Sequence, residues 1–313
     1  MNKVTILGIN GHIGHHAARA FAAAGWEVTG MGRTNKQPIP GVRFVTGDAQ
    51  SVADMRAAIG DSAVVVNALN LPYHQWDKGR MEAMTERVVE AMGKGRTMLF
   101  PGNIYNYAQS LRLVTPDQPQ EPNSAKGEIR KRTEAILKAA ADRGDMQVII
   151  LRAGDFFGPG NAFDWFDLVM LREAGKGKLA LMGDRGVGHS WAYLPDLAQA
   201  FEKLAWHRQE LGAYENFHFA GNFVTPEVMA DAIRQAAPVP LKVSYFPRLL
   251  FSLLGVADPM MREVARMSYL WANPMELRDA RLDALLGPDF GTPFDQAVAS
   301  AVQQFFPQLE KAA

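Results

Sequence analysis

Hydrophobic and polar positions follow two alternating periods through the first half of the chain. Short apolar runs, many of them β-branched, predict strands at 4–7, 26–32, 42–45, 63–67, 96–100 and 146–151. Helical spacing of apolar residues predicts helices at 13–24, 51–59, 80–92 and from about 124 onward. The uninterrupted apolar run at 63–66 is typical of a central parallel strand buried on both faces. This alternation with short connections predicts an α/β protein with a doubly wound parallel sheet.

Three glycines follow the first predicted strand, where the first predicted helix begins. Gly8 lets the chain leave the strand, Gly11 lets a ligand approach the backbone, and Gly14 lets the helix lie close on the strand. The helix N-terminus presents unpaired N–H groups and a partial positive charge to a pyrophosphate. The turn therefore predicts a Rossmann fold with a dinucleotide site. The turn residues assigned to this site are Gly8, Asn10, Gly11, His12, Ile13 and Gly14.

The end of the second strand indicates which dinucleotide is bound. Arg33 stands there, and no acidic residue is present to hold the ribose hydroxyls. An arginine at this place accommodates a 2′-phosphate, so we expect NADP rather than NAD, although Arg33 could also be a solvated surface residue. Asp48 and Ala49, just after the third strand, are expected near the adenine, but Asp48 could instead cap the following helix.

The carboxyl ends of the later strands supply the remaining candidates, because ligands of such sheets bind beyond these ends. The further residues expected to contact the cofactor are Ala68, Leu69, Asn70, Pro101, Gly102, Lys126, Asp155 and Phe156. Asn103 could bind substrate or nicotinamide, or form a turn. Tyr105 and Tyr107 are candidate substrate residues that could equally fill the core.

Composition narrows the class of protein. The 313 residues, 48% of them hydrophobic, suffice for one large domain or two smaller ones. Thirty-three basic and 33 acidic residues balance, so neither nucleic-acid nor membrane binding is expected. The absence of cysteine excludes disulfides and thiolate chemistry. With no apolar run near the roughly 18 residues of a spanning helix, we expect a soluble, cytoplasmic protein.

Two further local patterns lead to predictions. His12, His15 and His16 look like a metal cluster, but no carboxylate stands at ligand spacing, so we predict no metal site. The glycine-rich run at 183–189 predicts a hairpin over the active site, with Asp184 as a turn residue.

Four segments together indicate a family. They are the glycine turn, the pair Gly47-Asp48, the segment from Arg152 to Gly158-Pro159, and the segment at 190–198. The chain resembles an extended-type member of the short-chain dehydrogenase/reductase superfamily, the group that holds the nucleotide-sugar epimerases and dehydratases. The resemblance implies a Rossmann domain at 1–160, completed by about 190–222. It also implies a small, mainly helical cap at about 161–189 and 223–313, with Trp165 and Trp191 near the substrate. In many relatives the helices flanking the fourth and fifth strands pair as dimer interfaces, so the resemblance leaves a homodimer open for this chain.

The chain departs from that family at the catalytic positions. The family uses Ser or Thr after the fifth strand and Tyr-x-x-x-Lys on the next helix, where this chain has Asn103, Lys126 and Arg130. Lys-x-x-x-Arg is similar to atypical members, the isoflavone-reductase and pinoresinol-reductase-like group, which implies Lys126 as general acid/base. Arg130 shares its helix face, would lower the pKa of Lys126, and could hold the cofactor ribose or a substrate carboxylate. Alternatively, Lys126 contacts cofactor or substrate, or the basic run of Lys126, Arg130, Lys131 and Arg132 is a solvated helix face.

Three functions remain open from the sequence. The first is an NADPH-dependent reductase of a small carbonyl or enone, in which Lys126 relays the proton and Asn103 orients the carbonyl oxygen. The second is a nucleotide-sugar epimerase or dehydratase with altered residues, which a basic diphosphate clamp would favour. The cap arginines available for that clamp are Arg248, Arg262, Arg266, Arg278 and Arg281. The third is a non-catalytic redox sensor that binds dinucleotide and a protein partner.

Overall fold

The computed structural model describes residues 2–160, 164–246, 253 and 255–306. The strands are β1 (Lys3–Leu7), β2 (Glu27–Gly32), β3 (Val42–Thr46), β4 (Val64–Asn67), β5 (Arg96–Gly102), β6 (Leu113–Val114), β7 (Met146–Arg152), β8 (Asp155–Phe157), β9 (Lys178–Leu181), β10 (His189–Tyr193), β11 (Tyr214–His218), β12 (Asn222–Val224), β13 (Lys242–Tyr245) and β14 (Glu276–Leu277). The helices are α1 (His12–Ala23), α2 (Val52–Ile59), α3 (Arg80–Met92), α4 (Ala125–Asp142), α5 (Leu194–Trp206), α6 (Pro226–Ala236), α7 (Pro259–Met267), α8 (Ala280–Leu286) and α9 (Phe294–Gln303).

Seven parallel strands form the main sheet, in the order β11-β7-β5-β4-β1-β2-β3. The predicted doubly wound fold is confirmed. Each residue of β4 is buried, as its uninterrupted apolar sequence predicts for a central strand. The strand order reverses between β1 and β4, which places a ligand crevice at their carboxyl ends.

Side chains of the main sheet pack into two separate hydrophobic cores, one on each face of the sheet. Val4 and Ile6 of β1 pack with α1 and α5, where Phe21 and Phe201 are fully buried. Leu7 belongs to the opposite core, which the apolar faces of α2, α3 and α4 complete. Because successive side chains of a strand point to opposite faces, the period of two along each strand serves both helical layers.

The C-terminal part forms a third core over the carboxyl ends of the main sheet. β8, β10 and β12 form a small sheet, and β9 pairs with β13. Residues of α6, α7 and α9 pack in this core with Trp76 and Tyr105. The domain limits given above stay predictions. None of the helices in the described part of the chain has the length and apolar character needed to cross a bilayer.

The hairpin predicted at 183–189 is wrong. β9 precedes this run and β10 follows it, but they pair with different partners in different small sheets. Gly183 and Gly186 have positive φ values of 93° and 68°, so the run is a loop that turns the chain from one sheet to the other. Asp184 lies in this turn, and its carbonyl accepts a hydrogen bond from the Val187 N–H.

Candidate functional site

The glycine turn forms an open cradle at the N-terminus of α1. Gly8 has a φ of 85°, and a Cβ on Gly14 would lie 2.3 Å from the Gly8 carbonyl oxygen, so both positions require glycine. A Cβ on Gly11 would meet only that same oxygen, at 3.4 Å, so its outer side is open. Gly11 is the N-cap, with no side-chain cap and no acidic residue in the first turn. The free N–H groups and helix dipole therefore fit a pyrophosphate.

A cavity of about 400 Å³ opens beside this cradle, at the carboxyl ends of β1, β4, β5 and β7. It brings together most of the residues that the sequence assigns to cofactor, catalysis and substrate. The assigned residues that line it are Asn10, Gly11, His12, Ile13, Ala68, Leu69, Asn70, Pro101, Gly102, Asn103, Tyr105, Arg130, Asp155, Phe156 and Trp165. Residues from four strand ends thus share one site, as expected for this fold.

Other assigned residues lie outside the cavity lining, which does not include Gly8, Gly14, Arg33, Asp48, Ala49, Lys126, Tyr107 or Trp191. Tyr107 is fully buried, and its hydroxyl lies 2.9 Å from His218 Nε2. Trp191 packs against Phe157 and Phe166 in the C-terminal core. Both side chains therefore belong to the core, which for Tyr107 was one of the two alternatives that the sequence left open.

The loop beside the glycine cradle carries an exposed arginine. Asn10 Nδ2 donates to the Thr34 carbonyl at 2.8 Å, which ties the glycine turn to the loop that follows β2. Arg33 begins this loop and is exposed. Asp48 is also exposed, and its Oδ1 accepts from the Gln50 N–H, while Ser51 is the N-cap of α2. Asp48 therefore stabilises a turn and does not cap the helix.

Lys126 is buried beneath the C-terminal part of the chain. Its side chain is 6% exposed, and Nζ lies 3.1 Å from Glu263 Oε2 of α7. Nζ also donates to the Tyr73 carbonyl at 2.5 Å. Lys126 is therefore not part of a solvated helix face, but its ammonium is engaged by an ion pair with Glu263, which is not among the residues that line the cavity. Its predicted role as proton relay stays a prediction.

Arg130, one helical turn further on, lines the cavity. Its Cζ lies 4.8 Å from the ring centroid of Trp76 and 5.4 Å from that of Phe100. The residue is 7% exposed, and burial lowers the pKa of its guanidinium. Lys131 and Arg132 are exposed, so only the latter half of the basic run is a solvated face.

Two phenols on the cavity wall contact each other. The hydroxyls of Tyr73 and Tyr105 lie 2.5 Å apart. Burial raises the pKa of Tyr73 to about 12 and raises that of Tyr105 well above its ordinary value, so both phenols stay protonated at neutral pH. A Cβ on Gly127 would lie 2.1 Å from the Tyr105 carbonyl, so this glycine lets α4 approach the pair.

The sequence did not identify Tyr73 and Trp76 as site residues. The available signal was their place in the connection between β4 and α3, which starts at the ligand-binding edge of the sheet.

A buried ion pair positions Asn103. Arg152 and Glu134 are 0% and 2% exposed and form two parallel hydrogen bonds, at 3.0 and 2.8 Å. Arg152 also donates to the Asn103 carbonyl. Asn103 Oδ1 accepts from the Tyr105 N–H at 3.1 Å, which makes it the turn-forming asparagine that the sequence left open, at a position that still lines the cavity.

His12 has carboxylate neighbours that sequence spacing did not reveal. Its Nδ1 is hydrogen-bonded to Asp164, and ligand atoms of His12, Asp164 and Asp167 all lie within 4.8 Å of one another. The prediction of no metal site assumed that no carboxylate lies near these histidines. That assumption is wrong, because the fold brings together positions 152 residues apart. Burial alone lowers the pKa of His12, but the hydrogen bond and charge of Asp164 raise it above its ordinary value.

Four of the five arginines that left a diphosphate clamp open contact other groups of the chain. Arg262 donates to the carbonyls of Gly255 and Val256. The other three described arginines are paired with acidic residues: Arg266 with Glu263, Arg278 with Glu276 and Arg281 with Glu215. Arg248 lies outside the described residues.

Comparisons with known structures show the same fold over nearly the whole chain. MoeE5 in complex with UDP-glucose and NAD is 18% identical with a TM-score of 0.76, over 98% of this chain and 100% of that one. The UDP-glucose 4-epimerase from Brucella ovis in complex with NAD is 16% identical with a TM-score of 0.75, over 97% and 98%. WbmH from Bordetella bronchiseptica in complex with NAD+ is 22% identical with a TM-score of 0.70, over 97% and 98%.

The sequence itself also identifies a family. A search of curated proteins finds no match. The model of the NAD dependent epimerase/dehydratase family, however, matches residues 4–220, more than half of the chain. Together with the glycine cradle, this match supports a nicotinamide dinucleotide as cofactor. The chain belongs to the NAD dependent epimerase/dehydratase family.

Proposed function

We propose that this protein uses a nicotinamide dinucleotide to oxidise and reduce an oxygen-bearing carbon of a nucleotide-linked sugar. The observation that supports this proposal most directly is that Gly11, whose outer side is open, lines the same cavity as Tyr73 and Tyr105. The family match and the UDP-sugar and NAD complexes of similar folds support this epimerase or dehydratase reading better than the reductase reading.

The residues of the chain divide the work between binding and proton placement. A dinucleotide, when bound, supplies or accepts the hydride. The N-terminus of α1 binds its pyrophosphate. One phenol of the Tyr73–Tyr105 pair donates to the other, and the second donates to the substrate oxygen. Because their raised pKa values keep both phenols protonated, the pair donates a proton to that oxygen when the carbon is reduced and regains one from solvent. When the carbon is oxidised, the hydroxyl proton leaves to water in the open cavity, and the phenols hydrogen-bond the carbonyl oxygen that forms.

We further propose that NADP is preferred over NAD. The exposed Arg33 at the end of β2 has no acidic neighbour in the loop at 33–36, which suits a 2′-phosphate. The similar structures described above contain NAD, so this preference rests on Arg33 alone.

A second candidate is the reduction of a small carbonyl compound that lacks a diphosphate. The observation that favours it is the pairing of Arg262, Arg266, Arg278 and Arg281 with other groups of the chain, which engages these four arginines before any diphosphate could bind them. In this reading Lys126 would relay the proton only after leaving Glu263.

A ligand screen with matched variants separates these readings. Stabilisation by UDP- or TDP-sugars in a thermal-shift assay, with hydride transfer followed at the nicotinamide absorbance, supports the sugar enzyme. Hydride transfer to simple carbonyls without such stabilisation supports the reductase. Dinucleotide binding with no turnover on either panel supports a redox sensor. Tyr105→Phe should lower turnover at least tenfold with dinucleotide affinity unchanged, whereas Tyr214→Phe, outside the cavity lining, should not.

A further inference from the structure

Arg130 is a buried cation that lines the cavity and has no acidic partner among the residues that the structure describes. It is 7% exposed, its Nε has no hydrogen-bond acceptor, and it forms no ion pair with any described residue. Glu134 lies one helical turn away, but its carboxylate is already held by Arg152 and Gln120. A charged group kept from water is unfavourable until a counter-charge is supplied. The missing counter-charge points to an anionic ligand.

The surroundings of Arg130 select the shape of that anion. The guanidinium lies over the rings of Trp76 and Phe100, with Cζ 4.8 and 5.4 Å from their centroids. These rings supply no oxygen acceptor, and the planar guanidinium presents paired N–H groups along its edge. Two parallel in-plane hydrogen bonds from this edge match a planar carboxylate.

The charge of Arg130 also acts on the phenol pair. Arg130 and Tyr73 line the same cavity and both contact Trp76, at 4.8 Å from Cζ and 5.2 Å between ring centroids. The charge of Arg130 opposes the rise in the pKa of Tyr73. A ligand group held by Arg130 therefore lies near the substrate oxygen that the phenols are proposed to hold.

We propose that Arg130 binds a carboxylate of the substrate, so that the substrate is a sugar acid or a similar hydroxy acid. That the bound carboxylate belongs to a substrate rests on the proposed function, whereas the anion site itself rests only on the residues that line the cavity. The carboxylate forms two charge-assisted hydrogen bonds with the guanidinium edge and neutralises its buried charge.

The test is a ligand-observed NMR titration, into the millimolar range, without dinucleotide. Glucuronate should bind the wild-type protein at least tenfold more tightly than neutral glucose or inorganic phosphate. Arg130→Met should weaken glucuronate binding at least tenfold and leave NADP+ affinity within twofold of wild type. Lys131→Met removes the neighbouring exposed charge and should change neither affinity. Ligand-free Arg130→Met should melt at or above the wild-type temperature, because an uncompensated charge is removed.

Three results would overturn the proposal. Unchanged glucuronate affinity in Arg130→Met removes the site. An equal loss of NADP+ affinity assigns the arginine to the cofactor, and tighter binding of phosphate than glucuronate excludes carboxylate as the ligand class. A chain that binds no dinucleotide fails the proposed function, yet the glucuronate titration still reports on Arg130.

Discussion

Lys126 offers a direct choice between a structural and a chemical role. Its sequence position implies a proton relay, whereas the structure pairs its ammonium with Glu263 at 3.1 Å and with the Tyr73 carbonyl. We therefore predict that Lys126→Met damages stability much more than turnover. The ion pair joins α4 to α7, and Tyr73 belongs to the cavity wall. The substitution should therefore destabilise the packing of the C-terminal part over the sheet.

The expected loss of unfolding free energy follows from the burial of the Lys126–Glu263 ion pair. The two side chains are 6% and 13% exposed, and removal of one partner from a buried pair costs about 3–5 kcal/mol. Arg266 also contacts Glu263 at 2.6 Å and would still compensate its charge, so we expect the lower end, about 3 kcal/mol. The double variant Lys126→Met/Glu263→Met removes both charges of this pair and should recover most of the lost unfolding free energy.

The assay is urea unfolding of the single and double variants, with turnover measured well below the melting temperature. Lys138→Met is a matched control on α4, because its pair with Asp142 is more than half exposed and is worth less than about 1 kcal/mol. The reasoning is refuted if Lys126→Met and the double variant both lose turnover a hundredfold with stability and dinucleotide affinity intact. That result would establish the relay.

Two other predictions concern the cofactor and pH. Arg33→Asp should weaken NADPH binding at least tenfold more than NADH binding in fluorescence titrations; equal effects would contradict the NADP preference. Burial, aided by the charge of Arg152, lowers the pKa of His218 to about 3. Because this folded-state pKa lies below the unfolded value of about 6.5, the histidine's contribution to stability is full above pH 6.5 and is lost as the pH falls towards 3. His218→Gln should therefore remove about 1.4 kcal/mol per pH unit from the slope of unfolding free energy between pH 6 and 4; an unchanged slope would show that His218 is not the titrating group.

The main sheet was predictable because its signals are local. The apolar run of β4 and the glycines at the start of α1 encode strand burial and turn geometry within a few residues. Those signals also place the cavity, since parallel strands bring their carboxyl ends to one edge.

The partners within the site were not predictable in the same way. Asp164 reaches His12 across 152 residues, and Glu263 reaches Lys126 from α7. No period or spacing relates such positions, because the path of the C-terminal chain over the sheet decides their contacts. The mistaken hairpin at 183–189 has the same origin: its glycines signal a turn but not which sheet the next strand joins.

The central claim is that the open face of Gly11 receives a dinucleotide, and Gly11→Val tests it most directly. Gly11 has a φ of −77°, and a Cβ there would meet only the Gly8 carbonyl, so the fold should tolerate the change. Ala23→Val, exposed at the other end of α1, is the control. Calorimetric titration should show at least a hundredfold loss of NADP+ affinity for Gly11→Val alone, with unchanged unfolding free energy. Retained affinity in a folded Gly11→Val protein would contradict the account.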